Sequence, residues 1–460
     1  MRREQLVSFA SVAGLALALP ILLRLVNSAV RFFVGAEGRL AAITVETDHV
    51  LGPMPQPWRA LAQGGEELDT FMDKAGPQVA GLKTQYVRID HIYDGFNVVR
   101  RDGTNLAFDW TGLDRVIDKI RVAGATPFLS LSYMPLAISK GDIVDEPKDW
   151  NEWTLVVQRT IEHYSGEKGI ANVYYEVWNE PDLFGKWTMG GKKNYKKLYL
   201  YASRGAQAAR VSQTFKFGGP ATTGLYKNWL DQFFPFILEN KLRLDFFSWH
   251  RYDANVEKYN QDVTSVQQWI ESHPYFSQVE KIISEMGPDS EKGGQNDTRA
   301  GAAHLLAVTR ELLFKIKYGF TFSVTGQWGI INKPRYEALK LLSRLGDQRL
   351  AVTGDGTWVK SFGTKNGDTY QVLIVNYDPK ESHSEVVPVT FVNLVNQNFL
   401  LRQITMGGST LQSEVATTEA MLQREIPLTP NSAVLLELTP KPQATNPPAK
   451  RDPALRDMSQ

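Results

Sequence analysis

The chain of 460 residues contains no cysteine. That excludes thiolate catalysis, iron–sulfur clusters and cysteine-based zinc sites. It leaves the redox compartment open, because an exported protein can do without disulfides. Charge of one sign is also missing: 51 lysines and arginines face 50 acidic residues, for a formal charge of +1. No basic field points to nucleic acid as a partner. His163, His250, His273 and His304 lack the two-histidine spacing beside a carboxylate that a helical zinc site needs. The pairs Gly190-Gly191 and Gly293-Gly294 lie outside any GxGxxG or Walker pattern and read as turns. No metal or other cofactor is expected.

What is present is a chain 43% hydrophobic and 22% charged. It is long enough to bury more than one core without a metal or disulfide staple. Arg2 and Arg3 precede an uncharged run over residues 6–23, closed by Arg24 and interrupted by Ser8, Ser11, Gly14 and Pro20. The run is apolar on every face, long for a signal peptide and barely long enough to span a bilayer at about 20 residues. Asn27-Ser28-Ala29 is a passable cleavage site. A cleaved signal peptide and a retained signal anchor both fit, and both place the rest of the chain outside the cytoplasm. Residues 1–38 are assigned to this leader and its linker.

From there the chain alternates short apolar runs with amphipathic stretches. Strands are expected at 43–45, 84–89, 126–131, 173–177, 216–218, 245–249, 281–284 and 320–324, each followed by a helix. Eight such units fit a (β/α)8 barrel over residues 39–347. Past residue 348 the rhythm becomes that of short strands punctuated by Thr353-Gly354-Asp355-Gly356 and Asn366-Gly367-Asp368. Residues 348–439 are therefore expected to form an antiparallel β-sandwich. Residues 440–460, proline-rich and polar, read as a disordered tail.

Two segments share one grammar. Val173-Tyr174-Tyr175-Glu176-Val177 runs into Trp178-Asn179-Glu180-Pro181, and Lys281-Ile282-Ile283-Ser284 runs into Glu285-Met286-Gly287-Pro288. In each, a strand ends on a glutamate before a proline that cannot continue it. The C-terminal strand ends of a barrel carry its chemistry. The fourth and seventh strands stand across the barrel mouth from one another. Two carboxylates there suit glycosidic cleavage, where one donates a proton to the leaving oxygen and the other attacks or activates water. A lone glutamate after a strand is by default a solvated loop residue; the matched pair is not.

The Trp178-Asn179-Glu180-Pro181 motif with the later strand-end Glu285 resembles the retaining glycoside hydrolases of clan A. More closely it resembles glycoside hydrolase family 39, the β-xylosidase and α-L-iduronidase family. The resemblance runs from about residue 82 to 350. It takes in Tyr86-Val87-Arg88, Gly218-Gly219-Pro220-Ala221-Thr222, Phe247-Ser248-Trp249-His250-Arg251-Tyr252 and Pro334-Arg335-Tyr336-Glu337. It implies Glu180 as the acid/base and Glu285 as the nucleophile, with retention of anomeric configuration. It further implies that Asn179 holds the sugar 2-hydroxyl, that Arg88 and Tyr252 hydrogen-bond Glu285, and that His250 lines the sugar subsite.

Three departures bear on the substrate. Where the family usually reads Arg-x-His, this chain has Arg88-Ile89-Asp90. Strand alternation would send the neighbouring His91 to the other face. The eighth strand carries Phe322-Ser323-Val324-Thr325 in place of an aromatic run, leaving Trp328 as the candidate floor of the sugar site. Tyr252 stands where the iduronidase branch has a lysine, which points to a neutral sugar. The expected partner is an oligo- or polysaccharide. The expected activity is exo-acting and β-xylosidase-like, with an endo-acting glycanase or a non-catalytic carbohydrate-binding protein as alternatives. Oligomeric state is not legible.

Overall fold

The computed structural model describes residues 38–395 and 398–441. Residues 1–37 of the expected leader and linker, and residues 442–460 of the expected tail, lie outside the described residues. Among those described, no helix is long and apolar enough to cross a membrane.

Eight parallel strands close into a barrel in chain order: Ala60–Gln63, Tyr86–Ile89, Thr126–Leu131, Val173–Val177, Phe215–Thr222, Phe246–Tyr252, Glu280–Gly287 and Tyr318–Phe322. The last pairs with the first through Thr321 with Leu61 and Phe322 with Ala62. Alternate residues point inward, so Ala60, Ala62, Phe128, Tyr174, Phe246, Ile282, Tyr318 and Phe320 fill the barrel as one apolar cluster. Phe128 and Tyr174 stack there with ring centroids 5.1 Å apart. Two residues further along their strands, Arg88 follows Tyr86 and Glu176 follows Tyr174, so a charged layer sits on the aromatic plug.

Seven of the eight expected barrel strands are present; the first is a correction. Ile43–Pro53 pairs antiparallel with Gln348–Thr353 and parallel with Glu385–Val392, which makes it a strand of the C-terminal sheet. Ala60–Gln63 takes its place in the barrel. The burial of residues 43–47 alternates, as a strand covered on one face requires, whereas all four residues of Ala60–Gln63 are buried.

The C-terminal sheet has nine strands, antiparallel except for the pairing of Ile43–Pro53 with Glu385–Val392. Its two halves share one apolar core, including Ile43, Val45, Val372, Ile374, Val389, Phe391, Leu436 and Leu438. The intervening residues Leu373, Val375 and Leu435 join the core of the barrel instead. Strands with both faces buried thus weld the two units. The Arg344–Glu437 ion pair at 2.8 Å and the bond from Tyr377 Oη to Ala254 O at 2.7 Å complete the junction.

Candidate active site

Glu180 follows the fourth barrel strand on a segment held in an uncommon conformation. Trp178 has φ 76° and Glu180 φ 44°, left-handed values that cost non-glycine residues about 1–3 kcal/mol each. The surroundings fix them. Ser130 Oγ donates to Trp178 O at 2.8 Å, Trp178 Nε1 donates to Phe184 O at 3.2 Å, and Glu180 N donates to Ala221 O at 2.9 Å. Ala221 is placed by the neighbouring fifth strand, where a Cβ on Gly218 would lie 2.1 Å from Phe246 O. Glycine is required for those strands to approach.

Glu285 lies within the seventh strand, 5% exposed. Arg88 Nη1 donates to its Oε1 at 2.8 Å and Tyr252 Oη to its Oε2 at 2.7 Å. The same guanidinium reaches Glu176 Oε2 at 2.7 Å through Nε and Asn179 Oδ1 at 2.8 Å through Nη2. Asn179 Nδ2 donates in turn to Tyr133 Oη at 2.9 Å. Burial disfavours the Arg88 charge, but Glu176 and Glu285 outweigh it and raise its pKa further. Burial, with the Glu285 charge behind it, lifts the Tyr252 phenol well above its ordinary value. Tyr252 therefore keeps its proton and donates it to Glu285.

His250 joins the two glutamates. Its Nδ1 is 2.9 Å from Glu180 Oε1 and 3.5 Å from Glu285 Oε2. Burial lowers its pKa, but the Glu285 charge and the Glu180 hydrogen bond prevail and leave it raised. One ligand atom from each of Glu180, His250 and Glu285 falls within 4.8 Å of the others. Such a trio could hold a cation by distance alone, but the adjacent Arg88 opposes one and the Nδ1 contacts already use the carboxylates.

These residues sit at the base of a cavity of about 780 Å³. Asn179, Glu180, Tyr252, Glu285 and Trp328 line it, while Arg88 is fully buried beneath them and does not. Two expectations change. His250 is fully buried behind the glutamates rather than on the wall. His91 does reach the wall beside Asp90, because the second strand stops at Ile89 and His91 turns with φ 53°, so alternation no longer applies. Trp328 faces the cavity with its Nε1 bonded to Ser290 O at 3.0 Å, and Phe322 from the eighth strand lies beside it. Tyr133, Glu66 and Glu176 were not anticipated; they are joined to the site by long-range pairings with no local motif. Asn296-Asp297-Thr298 has the form of a glycosylation sequon, but Asn296 is buried and its Nδ2 donates to Asp289 O and Glu291 O.

Residues 42–291 match the family model described as Glycosyl hydrolases family 39. The chain belongs to glycoside hydrolase family 39. This family 39 chain is 32% identical to a β-xylosidase of Geobacillus stearothermophilus over 158 residues, 32% of this chain and 31% of that protein. The alignment thus spans about a third of that relative. A monomeric β-xylosidase of Caulobacter crescentus CB15 has the same fold, with a TM-score of 0.76 at 19% identity over 87% of this chain and 99% of that one. A GH39 enzyme from Xanthomonas axonopodis pv. citri superposes with a TM-score of 0.74, also at 19% identity, over 87% of this chain and 98% of that one.

Proposed function

We propose that this family 39 chain is a retaining O-glycosidase that works by double displacement, exo-acting on a neutral, xylose-like sugar. The observation that carries the reading is the closeness of the two carboxylates, with oxygens of Glu180 and Glu285 within 4.8 Å. Retaining enzymes hold their carboxyl groups about 5–5.5 Å apart, and inverting ones about 6.5–9.5 Å apart to admit a water. Their environments differ as their roles require. Glu285 is oriented by Arg88 and Tyr252 on both oxygens, as suits a nucleophile. Glu180 has the single His250 bond and faces the cavity, as suits a group that gives up and regains a proton.

In the first step Glu180 gives its proton to the glycosidic oxygen as that bond to the anomeric carbon breaks. A Glu285 oxygen forms the new bond from the opposite face. In the second step Glu180 removes a proton from water, whose oxygen displaces Glu285 and restores the original configuration. Asn179, fixed by Arg88 and Tyr133, has one amide hydrogen left for a sugar hydroxyl.

A neutral sugar is favoured because no lysine or arginine is among the residues lining the cavity. The volume suits a small-molecule pocket. An endo-acting reading draws on Leu183, Phe184 and Tyr226, which line the cavity on the Glu180 side and are 55%, 41% and 40% exposed. They offer an apolar platform to a sugar on the leaving side. Arg2, Arg3 and the apolar run behind them support a further proposal, that the enzyme works outside the cytoplasm.

The test is turnover of a panel of aryl α- and β-glycosides, with NMR of the first-formed anomer. Retained configuration on a neutral glycoside, lost in Glu285→Ala, is expected. Inversion would overturn the double displacement, and turnover of the glucuronide alone would overturn the neutral sugar. Release of single sugars from short xylo-oligosaccharides, against internal cuts in xylan, separates exo from endo action.

A further inference from the structure

Asp90 is a buried acid of the cavity wall that the mechanism above leaves unused. It stands directly after the second barrel strand, which ends at Ile89. It is 4% exposed yet lines the cavity, and its Oδ1 has no hydrogen-bond partner. The groups around it do not supply one. Arg88 is committed to Glu176, Glu285 and Asn179, and His91 Nδ1 is 2.7 Å from Asp94 Oδ2. Buried carboxylate oxygens rarely go unmatched unless something else brings the donor.

The rest of the wall favours the same kind of visitor. Its carboxylates are Glu66, Asp90, Glu180, Asp182, Glu285 and Glu291. Glu66 accepts from Gln327 N at 2.8 Å and Asp182 from Thr223 N at 3.0 Å. Those two are tied to the backbone and Glu291 is exposed, which leaves Asp90 as the deep acceptor beside the Glu180–Glu285 pair. A wall rich in carboxylates attracts donors and cations and repels anions.

We propose that Asp90 is a specificity-determining residue that reads the glycone through its hydrogen-bond donors. The cavity then takes sugars with a free hydroxyl or a free amine at the position facing Asp90. It turns away those that are deoxygenated, alkylated or acylated there. The inference rests on the glycosidase reading for its substrate class. Burial raises the Asp90 carboxyl to about 6 against the pull of His91 and Arg88, so at neutral pH it is an acceptor.

The test uses the full chain and two series, methyl β-D-xylosides and methyl β-D-glucosides carrying hydroxyl, amino, methoxy or hydrogen at C2, C3 or C4. Binding is measured calorimetrically to Glu285→Gln with and without Asp90→Asn or Asp90→Ala. Turnover of the matching 4-nitrophenyl glycosides is measured in the wild type and the single Asp90 variants. Thermal unfolding shows that each variant is folded, and Asp90→Asn is nearly isosteric. At one ring position the parent chain should prefer hydroxyl or amine over methoxy or hydrogen by about 10- to 100-fold, the range for a hydrogen bond to a charged group. Both Asp90 variants should lose that preference. Turnover with a preference untouched by the variants overturns the role of Asp90 and leaves the glycosidase standing. Selective binding that depends on Asp90 without turnover upholds Asp90 and overturns the glycosidase. Binding of neither series overturns Asp90 as a reader of such donors.

Discussion

Arg88 Nη1 meets Glu285 Oε1 at 2.8 Å with the arginine side chain fully buried and the glutamate side chain 7% exposed. The same guanidinium contacts Glu176 and Asn179, so one planar fork sets the position of the proposed nucleophile, a structural carboxylate and the amide of Asn179 on the cavity wall. Arg88→Lys keeps the charge but replaces the fork with a single ammonium, which cannot reach all three partners. Breaking a buried pair costs about 3–5 kcal/mol, and the lysine should recover part of that. We expect stability to fall by about 2–3 kcal/mol and kcat at least about tenfold, with KM little changed. Denaturant titration and steady-state kinetics on the best aryl glycoside read the two effects separately. A variant with unchanged midpoint and kcat would show that Glu285 is positioned without Arg88.

The unequal surroundings of Glu180 and Glu285 predict unequal losses. Glu180→Ala should slow hydrolysis of glycosides with poor leaving groups by about 10²–10⁴-fold, the usual worth of a general acid. Activated aryl glycosides need less protonation and should suffer less in their first step. Glu285→Ala should abolish turnover of both. Azide should restore Glu285→Ala by occupying the vacated face, giving a glycosyl azide of inverted configuration. It should restore Glu180→Ala with retention. If azide gave the same anomer from both variants, the two assignments would be wrong.

Asp90 also makes a prediction about stability. Its carboxyl is raised from 3.8 to about 6 in the folded protein, with Arg88, His91, Asp94 and Glu285 as the charged groups that act on it. The folded state therefore holds this proton more tightly than the unfolded chain. The contribution is fully present below pH 4 and is lost as pH rises through about 6. It amounts to roughly 2–3 kcal/mol at 1.36 kcal/mol per pKa unit. His250, also raised, acts in the same sense at higher pH. Unfolding free energies of the wild type and Asp90→Asn should converge toward pH 4 and separate toward pH 7, with the variant the more stable. Parallel curves would mean that Asp90 titrates normally.

The pairing of Glu180 with Glu285 was legible because each glutamate ends an apolar run stopped by proline, a pattern written in consecutive residues. The connections among Arg88, Glu176, Asn179 and Tyr133 were not, because the bonded partners stand 46 to 91 residues apart in sequence. Arg88 and Tyr252 could be assigned to Glu285 by family resemblance, and their bonds to it are present. His250 was assigned to the sugar but bridges the glutamates from behind. Nearly all residues of the strand Thr410–Ala416 are exposed, so its sequence carries no apolar alternation to reveal it. Ala60–Gln63 is short, carries no β-branched residue and takes its strand conformation from the closure of the barrel.

The strand Ile43–Pro53 gives the last prediction. It precedes the barrel in sequence yet lies inside the C-terminal sheet, between Gln348–Thr353 and Glu385–Val392. Ile43 and Val45 are 1% and 0% exposed in that sheet's core. A chain beginning at Met54 retains every barrel strand and every residue of the candidate site. It would nonetheless lose the strand that joins Glu385–Val392 and Leu422–Leu428 to the rest of the sheet, and open two unpaired edges. Burying a side chain such as Ile or Val is worth about 1.5–3 kcal/mol, and the lost backbone pairing adds to that. The shortened chain should aggregate or unfold well below the temperature of one beginning at Gly38, with hydrogen exchange fastest in residues 385–392 and 422–428. Wild-type exchange in both segments would show that the sheet closes without its first strand.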